Sequence, residues 1–297
     1  GLARALVDDP SQEGLEAATQ ALLATRPTAV NLAWALGEVR SALLELAPER
    51  WPVAALERAL ALREADIETC ARIGDHGMAL LRDVAGGDRL NILTHCNAGW
   101  LATVQWGTAL APVYKAHAAG LPVHVWVSET RPRNQGAYLT TWELERAGVP
   151  CTLVADNACG HLLQGGEVDC VIVGSDRTAA NGDVCNKIGT YLKALAARES
   201  GVPFYVALPL STIDWSCPSG AAIPIEEREA GEVLAVSGRA AGGAVESVRL
   251  TGPASRAANP AFDVTPAAMV SALITEQGAV PASSQGLAGL DRVATAR

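Results

Sequence analysis

Leu32, Leu36, Val39 and Leu43 recur at three- and four-residue intervals, the spacing of one helical stripe. That texture, rich in Ala, Leu, Glu and Arg, runs from residue 2 to about 83. Pro27 suits the first turn of a helix. A second helix is expected from Val53 towards Met78, with Gly74 and Gly77 near its end. Beyond Gly86-Gly87 the pattern changes. Short apolar runs at 90–94, 123–127, 151–154, 168–173 and 203–208 alternate with candidate helices at about 101–118, 137–147, 158–164 and 186–199. Nearly continuous apolar strands between amphipathic helices predict a parallel sheet covered on both faces. The expected fold class is therefore α/β: a helical N-terminal domain over residues 1–86, then a Rossmann-like parallel-sheet domain over 87–297. Two weaker strands near 231–235 and 246–250, a turn at Gly242-Gly243 and a last helix near 265–275 complete the expectation.

Composition narrows the function classes. The 297 residues carry 23 basic and 32 acidic side chains, a formal charge of −9, with 49% apolar and 19% charged residues. That balance excludes wholesale disorder and disfavours nucleic acid as a partner, because such binding needs basic surface. Every apolar stretch is broken before the ~18 residues that a membrane span requires. Cysteines at 70, 96, 151, 159, 170, 185 and 217 show no metal or redox spacing. Scattered thiols of odd number point to a reducing, cytoplasmic setting.

In open α/β sheets, ligands bind beyond the carboxyl ends of the strands. The residues there are strongly polar: THCNAG (94–99), ETRPRNQG (129–136), Asp156-Asn157, GSDR (174–177) leading to Asn186-Lys187, and PLST (209–212). Two of them suit catalysis. Cys96 precedes a turn into a helix whose dipole would favour thiolate. Asp176 ends a strand where burial would raise its pKa into the acid/base range. Asn186 and Lys187, expected at a helix start, would hold an anion with backbone N–H groups and an ammonium. No dinucleotide or P-loop fingerprint occurs, the stretch 177–183 fails the spacing of a calcium loop, and the histidines lack metal spacing. No metal or redox cofactor is expected.

These blocks, with RPTAVN (26–31), VGSDR (173–177), ANGDVCNKIGT (180–190), IPIEER (223–228) and NPAFDVTP (259–266), resemble the methylthioribose-1-phosphate isomerase family. They follow its order from residue 26 to about 276. The wider family includes ribose-1,5-bisphosphate isomerase and the regulatory subunits of translation initiation factor 2B. The resemblance implies an aldose–ketose isomerase of methionine salvage acting on a small sugar phosphate, and a homodimer. By motif, Asp176 matches the proton donor and Cys96 the residue assisting the transition state; Arg26, Gln135, Asn186 and Lys187 match substrate-binding positions. Two alternatives are an isomerase for ribose 1,5-bisphosphate or a 5-deoxypentose 1-phosphate, and a non-catalytic regulatory subunit. The C5 pocket separates the first of these, being apolar for a methylthio group and basic for a second phosphate. Family members begin with an extra segment carrying an Arg-Gly-Ala-Pro motif, and this sequence starts after it, so that part of the site is expected to be missing.

Overall fold

A computed structural model describes residues 1–291; residues 292–297, the end of the expected second unit, lie outside the described residues. The helical part comprises α1 (Leu2–Asp8), α2 (Gln12–Leu23), α3 (Val30–Leu44) and α4 (Trp51–Val84). The expected stripe is the buried face of α3: Leu36, Val39 and Leu43 pack with Leu6, Leu15, Trp51 and Ala55, and Leu32 lies at the edge. Pro27 precedes α3 rather than opening it, because Ala29 is its N-cap.

α4 continues well past the expected end. Gly74 and Gly77 do not stop it; they let it approach α5 (Leu110–Ala118). A Cβ on Gly77 would stand 2.3 Å from Pro112. The N-terminal end of α4 serves the helical core, whereas Ile73 and Leu81 belong to the core of the sheet.

The remaining elements alternate. They are β1 (Leu90–Thr94), α5, β2 (Val123–Ser128), α6 (Thr141–Arg146), β3 (Cys151–Val154), α7 (Ala158–Gln164), β4 (Cys170–Val173), β5 (Arg177–Ala179), β6 (Val184–Lys187), α8 (Thr190–Glu199), β7 (Phe204–Ala207) and β8 (Ile213–Asp214). There follow α9 (Gly231–Leu234), β9 (Ala235–Arg239), β10 (Val245–Arg249), β11 (Phe262–Thr265), β12 (Ala272–Thr275), β13 (Gly278–Val280) and α10 (Ser284–Leu287).

The main sheet has the order β13-β12-β7-β4-β1-β2-β3, parallel except for β13. Successive strand residues alternate between two cores. Ile92, Cys170, Ile172, Tyr205 and Ile274 face α4, α5 and α6; Leu93, Val171, Val173, Phe204 and Leu273 face α7 and α8. Burial on both faces is why these strands read as unbroken apolar runs. All five expected sheet strands are present.

Three expectations are corrected. The segment near 265–275 is not a helix: Pro266 and a 3-10 turn at Ala267–Met269 interrupt it, and Ala272–Thr275 becomes β12, pairing with β7. Its alanines suggest a helix, but an open strand edge and the apolar pair Leu273 and Ile274 decide the outcome. The helix expected at 101–118 begins only at Leu110, after a 3-10 turn and loop. The weak strand near 231–235 moves on to β9, because 231–234 is helical, while its partner near 246–250 and the turn between them, with Gly243 at φ +86°, are found as expected in the β9–β10 hairpin.

Candidate active site

Strand order reverses between β1 and β4. β2 and β3 lie on one side, β7 and β12 on the other, so the crevice of this sheet opens at the carboxyl ends of β1 and β4. Cys96 follows β1 and Asp176 follows β4. Both line a cavity of about 820 Å³, together with Arg26, Gln135, Asn186 and Lys187. All six residues singled out by sequence thus share one cavity.

Asn186 and Lys187 arrive there differently from expectation. They end strand β6, not a helix, and α8 starts at Thr190. A small sheet, β11-β6-β5-β8, holds them, with Lys187 opposite Phe262 and Asn186 opposite Asp263. Lys187 Nζ donates to the Ala261 carbonyl at 2.9 Å and lies 4.4 Å above the Phe262 ring. Burial pulls its pKa below the ordinary lysine value, and the nearby Arg228 adds to the effect. The dipole invoked for them belongs to a neighbour: Gly189 N–H and Tyr191 N–H, at the start of α8, donate to Asp263 at 2.7 and 3.1 Å.

Arg26 comes from the helical side. Its loop is fastened to the sheet by Arg177, whose Nε donates to the Thr28 carbonyl at 2.8 Å, and by Glu226, which accepts from Thr28 N–H at 3.0 Å. Asn31 Nδ2 donates to Ser211 Oγ at 2.7 Å. These bonds bring the RPTAVN, IPIEER and PLST blocks together. They place the Arg26 guanidinium 3.1 Å from Asp176 Oδ1.

Burial raises the Asp176 carboxyl above the ordinary carboxylate range, against the pull of Arg26, Lys187 and Arg228. That agrees with the sequence reading. Cys96 does not. Burial, and then the charge of Asp176, push its thiol up to about 11, so it stands neutral rather than as thiolate. No helix begins directly beneath it, and the 3-10 turn at Trp100–Ala102 gives little dipole to oppose burial.

Cys96 also carries backbone strain. Its φ is +65°, in the left-handed region that side-chain-bearing residues rarely occupy. The turn that follows is gripped by Glu143 of α6, which is fully buried. One oxygen accepts from Asn97 Nδ2 at 3.0 Å and Leu101 N–H at 2.9 Å; the other accepts from Trp100 N–H at 2.9 Å and Tyr114 OH at 2.8 Å. A Cβ on Gly99 would meet that carboxylate at 1.9 Å, so only glycine allows the approach.

Behind the rim, His95 bonds through Nδ1 to Ser128 Oγ at 3.1 Å and through Nε2 to the Ile188 carbonyl at 2.8 Å. Burial and Lys193 hold its pKa down to about 3, so it is a neutral spacer rather than an acid. Burial alone would raise Asp156, but Ser128, Lys193 and Arg131 N–H outweigh it and hold that carboxyl low.

Sequence reasoning missed several groups. Arg228, within the IPIEER block, lines the cavity and carries a bond to Glu226 at 2.9 Å. Leu32, Trp34, Ala35, Leu62 and Leu101 form an apolar wall that pattern alone could not assign to a site. Gln135 Oε1 and Trp34 Nε1 are buried without hydrogen-bond partners, an acceptor and a donor left for a guest. Glu143, in an ordinary amphipathic helix, gave no signal.

Residues 3–282 match the initiation factor 2 subunit family. The methylthioribose-1-phosphate isomerase of Rhodospirillum rubrum is 59% identical, covering 98% of this chain and 77% of its own length. That of Methylorubrum populi is 58% identical, covering 98% and 80%. Among solved structures, the 5-methylthioribose 1-phosphate isomerase of Pyrococcus horikoshii OT3 superposes with a TM-score of 0.81 at 41% identity, covering 97% of this chain and 79% of that one. The eIF-2B subunit delta of A. fulgidus gives 0.73 at 39% identity, covering 95% and 80%.

Proposed function

The chain belongs to the initiation factor 2 subunit family, and we propose that it is an aldose–ketose isomerase converting 5-methylthioribose 1-phosphate to 5-methylthioribulose 1-phosphate, a step of methionine salvage. The observation that carries this reading is the cavity at the β1–β4 switch point, where a protonatable carboxyl and a neutral thiol stand among Arg26, Lys187 and Arg228.

The chemistry demands such a set. A phosphate ester on C1 prevents simple opening to a free aldehyde, so a proton must reach the ring oxygen as the ring opens. Hydrogen must then move from C2 to C1 while the C2 hydroxyl gives up its proton to become the ketone, which offsets the proton delivered to the ring oxygen. Asp176, with its pKa raised by burial, serves as the proton donor; Cys96 assists the transition state as a neutral thiol. Arg26 and Lys187 meet the phosphate, and Asn186 and Gln135 bind hydroxyl or phosphate oxygens. The unpartnered Gln135 Oε1 supports that role. Local cations thus oppose the overall negative charge at the point where an anion binds. The apolar wall from α3 and residues 62 and 101 suits a methylthio group better than a second phosphate.

We take residues 1–86 and 87–297 as the two domains, with the cavity between them. A homodimer is expected from the family resemblance, and a cytoplasmic setting agrees with seven unpaired thiols. The test is incubation of the full-length protein with 5-methylthioribose 1-phosphate and, separately, ribose 1,5-bisphosphate, following ketose formation by NMR. Ketose is expected from the first alone. Asp176→Asn and Cys96→Ser should each lower turnover by about 10²- to 10⁴-fold. No ketose from either sugar would favour a regulatory subunit, and a variant turning over at the wild-type rate would remove that residue's role.

A further inference from the structure

Cys96 holds its left-handed conformation at both ends through two side chains that lie outside the cavity. Its backbone N–H donates to Thr130 Oγ1 at 2.8 Å. Its carbonyl accepts from Thr140 Oγ1 at 2.7 Å. The single proton of each hydroxyl is committed. Thr130 Oγ1 donates onward to the Ser128 carbonyl at 2.9 Å, and Thr140 Oγ1 accepts from Asn97 Nδ2 at 3.2 Å. Both threonines are buried, at 0% and 1% exposure, and neither lines the cavity.

The two come from opposite sides of the thiol. Thr130 lies in the loop after β2, itself at φ +67°, a conformation a β-branched residue seldom tolerates. Asp156, after β3, fixes it by accepting from Thr130 N–H at 2.8 Å and Arg131 N–H at 2.7 Å. Thr140 sits in the π-turn Gly136–Thr140 that leads into α6. Strained backbone persists only where surroundings over-determine it. Here the surroundings are two hydroxyls, one accepting and one donating, on either side of a single residue.

We propose that Thr130 and Thr140 form a clamp whose function is to aim the Cys96 thiol at the substrate, making both positioning residues for the isomerisation. This rests on the catalytic reading of Cys96 given above. Val at either position keeps the shape and removes the hydroxyl, releasing Cys96 towards ordinary extended backbone and swinging its thiol out of line. Ser at either position restores the bond without the methyl group.

The experiment uses the full-length protein with Thr130→Val, Thr140→Val and the corresponding Ser variants. Misplacement of a reacting group by an ångström costs roughly 10²-fold, so kcat should fall about 10- to 100-fold in each Val variant, with KM changed by no more than about twofold. The Ser variants should recover most of the loss. Iodoacetamide labelling, quantified for each cysteine peptide by mass spectrometry, should show faster modification of Cys96 in the Val variants and unchanged rates at the other cysteines. Should Thr130→Val fail to fold, Thr140→Val and its Ser partner carry the same comparison. A Val variant with wild-type kcat, or one whose loss is not recovered by Ser, overturns the clamp. Full turnover in Cys96→Ser would instead sink the catalytic reading, and the positioning role with it. A dead Cys96→Ser enzyme beside a fully active Thr140→Val enzyme overturns the clamp alone.

Discussion

Replacing Glu143 by Gln leaves its volume unchanged and removes one acceptor. Each carboxylate oxygen takes two donors: Asn97 Nδ2 and Leu101 N–H on one, Trp100 N–H and Tyr114 OH on the other. A Gln amide keeps one oxygen and presents two N–H groups to the other pair. The least costly choice turns the amide towards Trp100 and Tyr114, because the Tyr114 hydroxyl can rotate to accept, whereas a flip of Asn97 would break its bond to Thr140 Oγ1. Trp100 N–H is then left facing a donor. A buried hydrogen bond to a charged acceptor contributes about 1.5–3 kcal/mol, and an unsatisfied donor costs a similar amount, so E143Q should lose about 2–4 kcal/mol. At roughly 2–4 °C per kcal/mol for a chain approaching this size, Tm should fall by about 4–16 °C in a thermal melt followed by circular dichroism. Because the turn from 97 to 101 adjoins Cys96, kcat should fall as well. A Tm within about 1 °C of wild type would refute the idea that these four bonds hold the turn, since one orphaned N–H should move it further.

Two further outcomes follow from charges around the site. Arg26 favours the ionised form of Asp176, so R26Q should raise that pKa further. An enzyme needing protonated Asp176 loses activity as pH rises through it; the alkaline limb of kcat against pH should therefore move to higher pH, and an unmoved or lowered limb would count against the donor role. Asp263 is pushed up to about 6 by burial from an ordinary 3.8, so the folded state holds its proton more tightly than the unfolded chain does. Its contribution is full at low pH and is lost as pH rises towards 6; the urea midpoint of wild type relative to D263N should decline across that interval and level off above it. A constant difference would show that Asp263 does not titrate there.

What the sequence disclosed follows from how many neighbours each residue answers to. Strands such as β1 and β4 are buried on both faces, so their apolar runs are unambiguous, and the switch-point rule then places Cys96 and Asp176 at one rim. Gly77 was read as a helix end because glycine weakens helices; its meaning lies in Pro112, 35 positions away in sequence. Ala272 to Thr275 carries too little pattern to reveal a strand without β7 beside it. Lys187 looked like the start of a helix since the small sheet β11-β6-β5-β8 is assembled from strands of two to four residues, below what periodicity resolves. The Cys96 thiolate fails for an electrostatic reason: removal from water, and then proximity to Asp176, outweigh Lys187, and neither can be read from the residues flanking a cysteine.

Helix α4 has a further consequence. Its 34 residues extend about 50 Å at ~1.5 Å per residue, and it places Trp51 and Ala55 in one core and Ile73 and Leu81 in another. A rod shared in this way belongs to both cores, so loss of either one strips half of the same helix of its packing. The two cores are therefore expected to melt together, in a single calorimetric transition, rather than one after the other. Ala59, Leu62 and Asp66, which line the cavity, lie between the two anchored ends. This wall of the cavity is thus set at the middle of a span secured on both sides.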